Sequence, residues 1–311
     1  MFFSKRILHL IPLLFIISIL LFAMLLLIPG DPTYAILGQE ASEEQREALR
    51  QELGLNDPVV VQYTSWLFDA VRGDFGRSLM TREPVTDILV RNTGATLQVI
   101  TLAMGFVLVG GLGLGILSVM TNRKFWDGVF KLISNLGVAV PTHVVAVLMV
   151  LVFSVLLGWL PATGFVSVFD DPAGFLRTAL LPALALAGGG IAIISLQIRS
   201  SLLETLEEDY IKTALSKGLS HRAVILRHGV QNSLLPVLTT AGVIVSSLIG
   251  GSVIVEEIFA IPGLGAVIVN SILQRDMPLL QGAILIVVLI VVVSNLAVDV
   301  AYRLVDPRIK L

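Results

Sequence analysis

Six long apolar runs divide the chain: Ile7 to Ile28, Ala95 to Met120, Ile133 to Leu157, Ala179 to Ile198, Leu234 to Val255 and Leu279 to Val300. Each suits a transmembrane helix, because about 20 residues rising about 1.5 Å each cover a hydrocarbon core roughly 30 Å thick. The pattern predicts an all-α integral membrane protein with six transmembrane helices. The first run follows Lys5 and Arg6, as the apolar part of a cleaved leader would. It exceeds the usual length of such a part, about 7–15 residues, and leads into IPGDP rather than a small-x-small cleavage site, so it is read as a span.

Two polar segments are too long to be simple connections. In residues 29–94, Ser42 can cap EEQREALRQEL with Gln45 in the reciprocal position, and Gly54 can stop that helix. Pro58 opens VVVQYTSWLFDAV, whose apolar and aromatic residues suit either the membrane interface or a neighbouring chain. PVTDILVRNTGATL then places Val85, Ile88 and Leu89 at helical spacing, which predicts an interfacial helix leading into the second span. The chain so divides into residues 1–28 (N-terminus and first span), a partly helical segment 29–94, and a five-helix core 95–311 that contains the second polar segment, 199–233.

That second segment predicts a helical hairpin. ETLEEDYIKTALSK has helix formers with Ile211, Ala214 and Leu215 on one face, Gly218 supplies a left-handed stop, and Ser220 can cap HRAVILRH. Two readings of the hairpin stand side by side. It can cap the bundle with Lys212, Lys217, Arg222 and Arg227 on anionic headgroups, or it can present small Ala214 and Gly218 at its bend to another protein.

Composition sharpens the class. Of 311 residues, 55% are hydrophobic and only 14% charged, where soluble domains carry roughly a quarter, and mean hydropathy is +0.90. A net charge of −2 offers no basic field to nucleic acid, so the placement of charges matters more than their sum. Lys5, Arg6, Arg123, Lys124, Lys131, the 199–227 stretch, Arg303, Arg308 and Lys310 all fall on one side of a six-span topology, against Arg177 and Arg275 in the short opposite loops. The positive-inside rule then places both termini and the 199–233 hairpin in the cytoplasm, while the arginines of 29–94 belong to a long loop that translocates regardless of charge. The absence of cysteine excludes disulfides, thiolate metal sites and cysteine nucleophiles.

The hairpin resembles the cytoplasmic EAA loop of binding-protein-dependent ABC importer permeases: Ala214, Gly218, Leu235 and Pro236 match its Glu-Ala-Ala, three residues, Gly, and later Ile-x-Leu-Pro. Lys212 stands at the Glu, Thr213 at the first Ala, and Pro236 falls five residues late; DYIKTALSKGL in this form resembles the peptide-permease branch. IPGDP (28–32), LGLNDPVVVQYTSWL (53–67), GDFGRSL (73–79), EEIFAIPGLG (256–265), RDMPLLQG (275–282) and NLAVDVAYRLVDPRI (295–309) resemble the B-type subunit of dipeptide and oligopeptide permeases. The resemblance implies a type I ABC importer permease fold in a bacterial inner membrane. It also implies a homologous second permease subunit, two ATP-binding subunits that use ATP and Mg, an extracytoplasmic substrate-binding protein, and no catalysis in this chain. Carried over by position, Asp209, Tyr210, Lys212, Thr213, Ala214, Lys217, Gly218, Leu219, Ser220, His221 and Arg222 form the coupling element that docks on the ATPase. Short peptides are the implied cargo, with glutathione, opines or a nickel chelate as alternatives on the same architecture.

Other candidate chemistry is sparse. GGLGLG (110–115) lies within a span, lacks the spacing of a nucleotide loop and reads as close helix packing, as does GGG (188–190). No GxxxxGK[ST] is present, so ATP hydrolysis falls to another chain. His221 and His228 read as surface or docking residues rather than metal ligands, His9 is isolated, and His143 beside Pro141 reads as a bundle histidine or a pathway residue. Asn295 and Asp299, one turn apart, suit a structural pairing with Arg303 or a gate; Glu256 and Glu257 end the fifth span, where they can line the mouth or meet the binding protein. A stand-alone channel or secondary transporter, and an intramembrane enzyme, fit less well, for spans three to six hold few ionisable residues.

Overall fold

A computed structural model describes residues 12, 14–23, 32–38, 40–52, 54–121 and 124–305, with the side chains at 32, 35, 36, 52, 124–127, 133, 299 and 301–305 outside that description. The long apolar runs fold as long helices. In chain order the helices are α1 (Leu14–Ala23), α2 (Pro32–Leu37), α3 (Glu43–Glu52), α4 (Val59–Val71), α5 (Val85–Met120), α6 (Lys124–Ala139) and α7 (Thr142–Met149). They continue with α8 (Pro172–Leu206), α9 (Asp209–Ser216), α10 (His221–Val224), α11 (Val230–Ile258), α12 (Leu264–Gln274) and α13 (Met277–Val305). Two stretches widen to π-helix, Val150–Leu156 after α7 and Ile225–Gly229 between α10 and α11.

Four described helices are long and apolar enough to cross a membrane: α5, α8, the continuous His221–Ile258, and Met277–Val298 of α13. The third predicted span departs from expectation. Instead of one helix over Ile133–Leu157, Gly128–Ala139 and Thr142–Leu156 meet at 104°. Pro141 is the cause: it sits in the extended region (φ −60°, ψ 140°) as the N-cap of α7 and disfavours helical geometry in Val140 before it. Of the first predicted span, Ile7 to Ile28, Pro12 and α1 are the described part; Lys5, Arg6, His9 and most of IPGDP lie outside the described residues.

The chain forms two compact units. The first comprises residues 1–94 and 262–292. Its α3 starts with the reciprocal cap expected, Ser42 N–H donating to Gln45 Oε1 (3.0 Å) and Gln45 N–H to Ser42 Oγ (3.2 Å), and ends at Gly54 with φ +63°. Its core joins Val85 and Leu89 of α5 to Leu264 of α12 and Ala283 of α13, with Phe75, Ile268 and Leu279 packed around them. This corrects the interfacial reading of 85–89. α5 runs unbroken from Val85, and Val85, Ile88 and Leu89 are buried in protein; α13 brings Gly282 so near that a Cβ there would lie 2.9 Å from both Val85 and Leu89.

The second unit comprises residues 95–261 and 293–310 and is organised around α8. Asp171 caps α8 by accepting from Ala173 N–H (3.0 Å), Pro172 occupies its first turn, and it packs against α11, α6 and α7. The glycine motif packs as read: a Cβ at Gly111 would meet Ile194 at 2.7 Å, and one at Gly115 would meet Ile198 at 2.2 Å. Within GGG, a Cβ at Gly190 would lie 2.6 Å from Val107, whereas one at Gly188 would meet nothing within 4 Å.

Candidate functional site

The polar segment between α8 and α11 folds as a helix, a glycine turn and a re-entry. Its boundaries differ from those expected: Glu204 to Leu206 complete α8, and α10 passes through the π-helical turn into α11, so HRAVILRH begins the fifth long helix rather than standing alone. The base of the hairpin is tied by Thr205 Oγ1 and Ser233 Oγ at 3.0 Å. Gly229 gives the π-helical turn room beside α8, since a Cβ there would lie 3.1 Å from Leu202. Such turns are often found where helices serve function.

α9 buries Ile211, half-buries Ala214 and exposes the rest. Ile211 is 1% exposed, Ala214 half-buried, and Tyr210 and Leu215 largely open, so the three apolar residues expected on one face divide between anchor and surface. Thr213 Oγ1 donates to the Asp209 carbonyl (3.0 Å), Lys212 Nζ to Asp209 Oδ1 (2.8 Å) and Ser216 Oγ to the Lys212 carbonyl (2.9 Å). Lys217 closes the helix. Gly218 follows with φ +85°, donating to the Leu215 carbonyl at 2.9 Å, a conformation that costs a side-chain-bearing residue about 1 kcal/mol or more. Ser220 Oγ then accepts from Ala223 N–H (3.3 Å) and caps the return, whose Val224 and Ile225 are fully buried. Leu219, His221 and Arg222 are exposed. The product is a hairpin with an apolar and basic surface, Tyr210, Leu215 and Leu219 among Lys212, Lys217 and Arg222, above the buried Ile211, Val224 and Ile225.

The remaining candidates are dispersed. His143 is exposed on α7 and His228 half-buried in the π-helical turn. Glu256 is fully buried and accepts from Thr96 Oγ1 at 2.7 Å, whereas its neighbour Glu257 is exposed. Asn295 is exposed on α13; the side chains of Asp299 and Arg303 lie outside the described residues. Asp276 was not singled out from the sequence. It is 1% exposed in the first unit and receives hydrogen bonds from Ser78 Oγ and Leu79 N–H, which joins two segments, GDFGRSL and RDMPLLQG, that the sequence marks separately.

Comparison with known proteins gives these features a class. Residues 111–311 match the family described as binding-protein-dependent transport system inner membrane component, and residues 1–100 match the N-terminal part of such membrane components. The chain belongs to this family, as a multi-pass membrane component of a transport system. It is 40% identical over 306 residues to a putative peptide transport system permease protein of Brucella abortus (strain 2308), covering 98% of each chain. It is 37% identical to the glutathione transport system permease protein GsiC of Escherichia coli (strain K12), covering 98% of this chain and 97% of that one. A chain of the inward-facing MetNI methionine ABC transporter shares the fold at a TM-score of 0.60 and 20% identity, over 72% of this chain and 99% of that one.

Proposed function

We propose that the chain is one of two permease subunits lining the pathway of an ABC importer for short peptides, and that the α9 hairpin is where ATPase motion enters the membrane. End-to-end similarity to permeases named for peptide and for glutathione, itself a tripeptide, supports the cargo class. The observation that carries the coupling role is the hairpin itself, an exposed apolar and basic surface between α8 and α11 with Ile211, Val224 and Ile225 buried beneath it. In this reading both termini and the hairpin face the cytoplasm. Two ATPase subunits hydrolyse ATP with Mg there, Tyr210, Leu215 and Leu219 enter a groove of one of them, and Lys217 and Arg222 meet its carboxylates. A binding protein delivers peptide on the opposite side.

Gly218 gives the test. Its surroundings are open but its φ is positive, so its role is conformational rather than steric. Gly218→Leu is expected to reduce transport-coupled ATP hydrolysis at least severalfold, and Gly218→Asn, which tolerates the left-handed region, to retain most of it. Undiminished coupled hydrolysis in Gly218→Leu rejects the coupling role. Mass spectrometry of the ligand carried by the cognate binding protein tests the cargo.

A further inference from the structure

The helix α4 has two apolar faces, and the chain covers one. Toward α1, Tyr63 lies edge-on to Phe15 and Phe22 (centroids 6.3 and 5.5 Å), Trp66 lies 5.9 Å from Phe22, and the Tyr63 hydroxyl shares a 2.8 Å hydrogen bond with Ser18. On the other side Val60, Val61, Phe68 and Val71 are 71, 45, 57 and 79% exposed. No charged residue occurs from Val59 to Phe68. A polar stripe of Gln62, Ser65 and Asp69 separates the two apolar faces, so the outer face still needs a cover of protein or lipid, and the sequence alone left membrane and neighbouring chain open.

We propose that the Val60, Val61, Phe68 and Val71 face of α4 is a lipid-contact surface, seated among acyl chains beside α1. Three observations favour lipid over a protein partner. The helix α4 packs against is itself apolar on its open side, where Phe15, Ile16, Ile19 and Leu20 are exposed. Ser18, the residue bonded to Tyr63, lies near the middle of the apolar run Ile7 to Ile28, so α4 attaches at hydrocarbon depth along that run instead of beyond its end. The hydroxyl within the outer face also needs no outside partner, because Thr64 Oγ1 donates to the carbonyls of Val60 and Val61 (2.9 and 3.1 Å). At the end of α4 the Arg72 guanidinium rests 3.7 Å over the Phe68 ring, and in this proposal its charge meets headgroup phosphate.

The chain has no cysteine, so Val60→Cys, Val61→Cys and Phe68→Cys each take a single nitroxide label in the assembled transporter, reconstituted in phospholipid nanodiscs. Collision with oxygen, which concentrates in lipid, is compared with collision with a water-soluble nickel chelate, using Glu83→Cys at an exposed loop position as reference. The oxygen-to-nickel ratio at the α4 positions is expected to exceed that at 83 severalfold. A ratio equal to the reference places the face in water and overturns the proposal; low collision with both reagents places it against protein and overturns it equally. Three labels at exposed positions keep the test alive should one variant fail to assemble.

Discussion

Ser78 and Asp276, 198 positions apart, meet as a buried pair in which the serine hydroxyl donates to the carboxylate. The other carboxylate oxygen accepts from Leu79 N–H at 3.1 Å and from Leu279 N–H at 3.4 Å, so Asp276 fastens the loop around the Arg77–Pro84 bridge to the start of α13. Asp276→Ala strands a buried hydroxyl and a buried amide, and is expected to cost about 2–4 kcal/mol. Asp276→Asn is expected to cost less, because the Ser78 oxygen can accept from the new amide. Thermal unfolding of the purified transporter, with protease sensitivity of residues 73–84 as the local readout, checks the order.

A second buried carboxyl has the same logic on a shorter scale. Thr96 of α5 donates to Glu256 of α11 at 2.7 Å, with Glu256 fully enclosed. Thr96→Val keeps the shape and removes the donor, for an expected loss of about 1–3 kcal/mol. Glu256→Gln keeps an oxygen to accept from Thr96 and is expected to unfold at a higher temperature than Glu256→Ala, which also opens a cavity. Equal melting of the Gln and Ala variants would show that this hydrogen bond contributes little.

Within one motif the glycines are expected to respond oppositely. A Cβ on Gly115 would lie 2.7 Å from the Ser195 carbonyl oxygen, a backbone atom that cannot swing aside, whereas Gly113 has nothing within 4 Å. Gly115→Ala must push α5 from α8, at about 1–3 kcal/mol or more. Gly113→Ala gains from reduced unfolded-state freedom, and is expected to stabilise by about 0.5–1 kcal/mol. Melting of the two variants in one detergent or lipid condition tests both signs.

What was legible in the sequence followed from local physics. Helix length, the Ser42 and Ser220 caps and the positive φ at Gly54 and Gly218 depend on residues within a turn of each other, and each can be read before any fold is known. The bend at Pro141 was equally local, but an apolar run does not distinguish one helix from two. The orientation of a helix face was not legible: Val85, Ile88 and Leu89 make the same stripe whether they meet lipid or Leu264 and Ala283, which arrive from far along the chain. Ser78 and Asp276 carry no local mark of one another, and an aspartate beside an arginine reads as surface until its loop is placed. At the hairpin the glycine turn was visible, yet its junction with α11 was not, since polar HRAVILRH gives no sign that it continues into an apolar span.

Acid is expected to act on α3 before the apolar core. Glu43 accepts from Arg50 Nη1 at 2.9 Å and Arg46 Nη1 at 3.4 Å, and the hydrogen bond from Arg50, aided by Arg46, holds its carboxyl below the ordinary value. A carboxyl whose folded value is depressed stabilises fully above its unfolded value, and that stabilisation disappears as pH falls through the folded value. The amides of α3 from Gln45 onward should therefore keep their protection at neutral pH and lose it progressively below the ordinary carboxylate range. Because Glu43 is open to solvent, salt should weaken the effect. Glu43→Gln has no carboxyl to titrate at this position, so its amide exchange, corrected for intrinsic rates, should change less with pH over the same window. Hydrogen exchange of residues 43–50 in both forms checks this, and an identical pH response in the two would assign the acid sensitivity to another group.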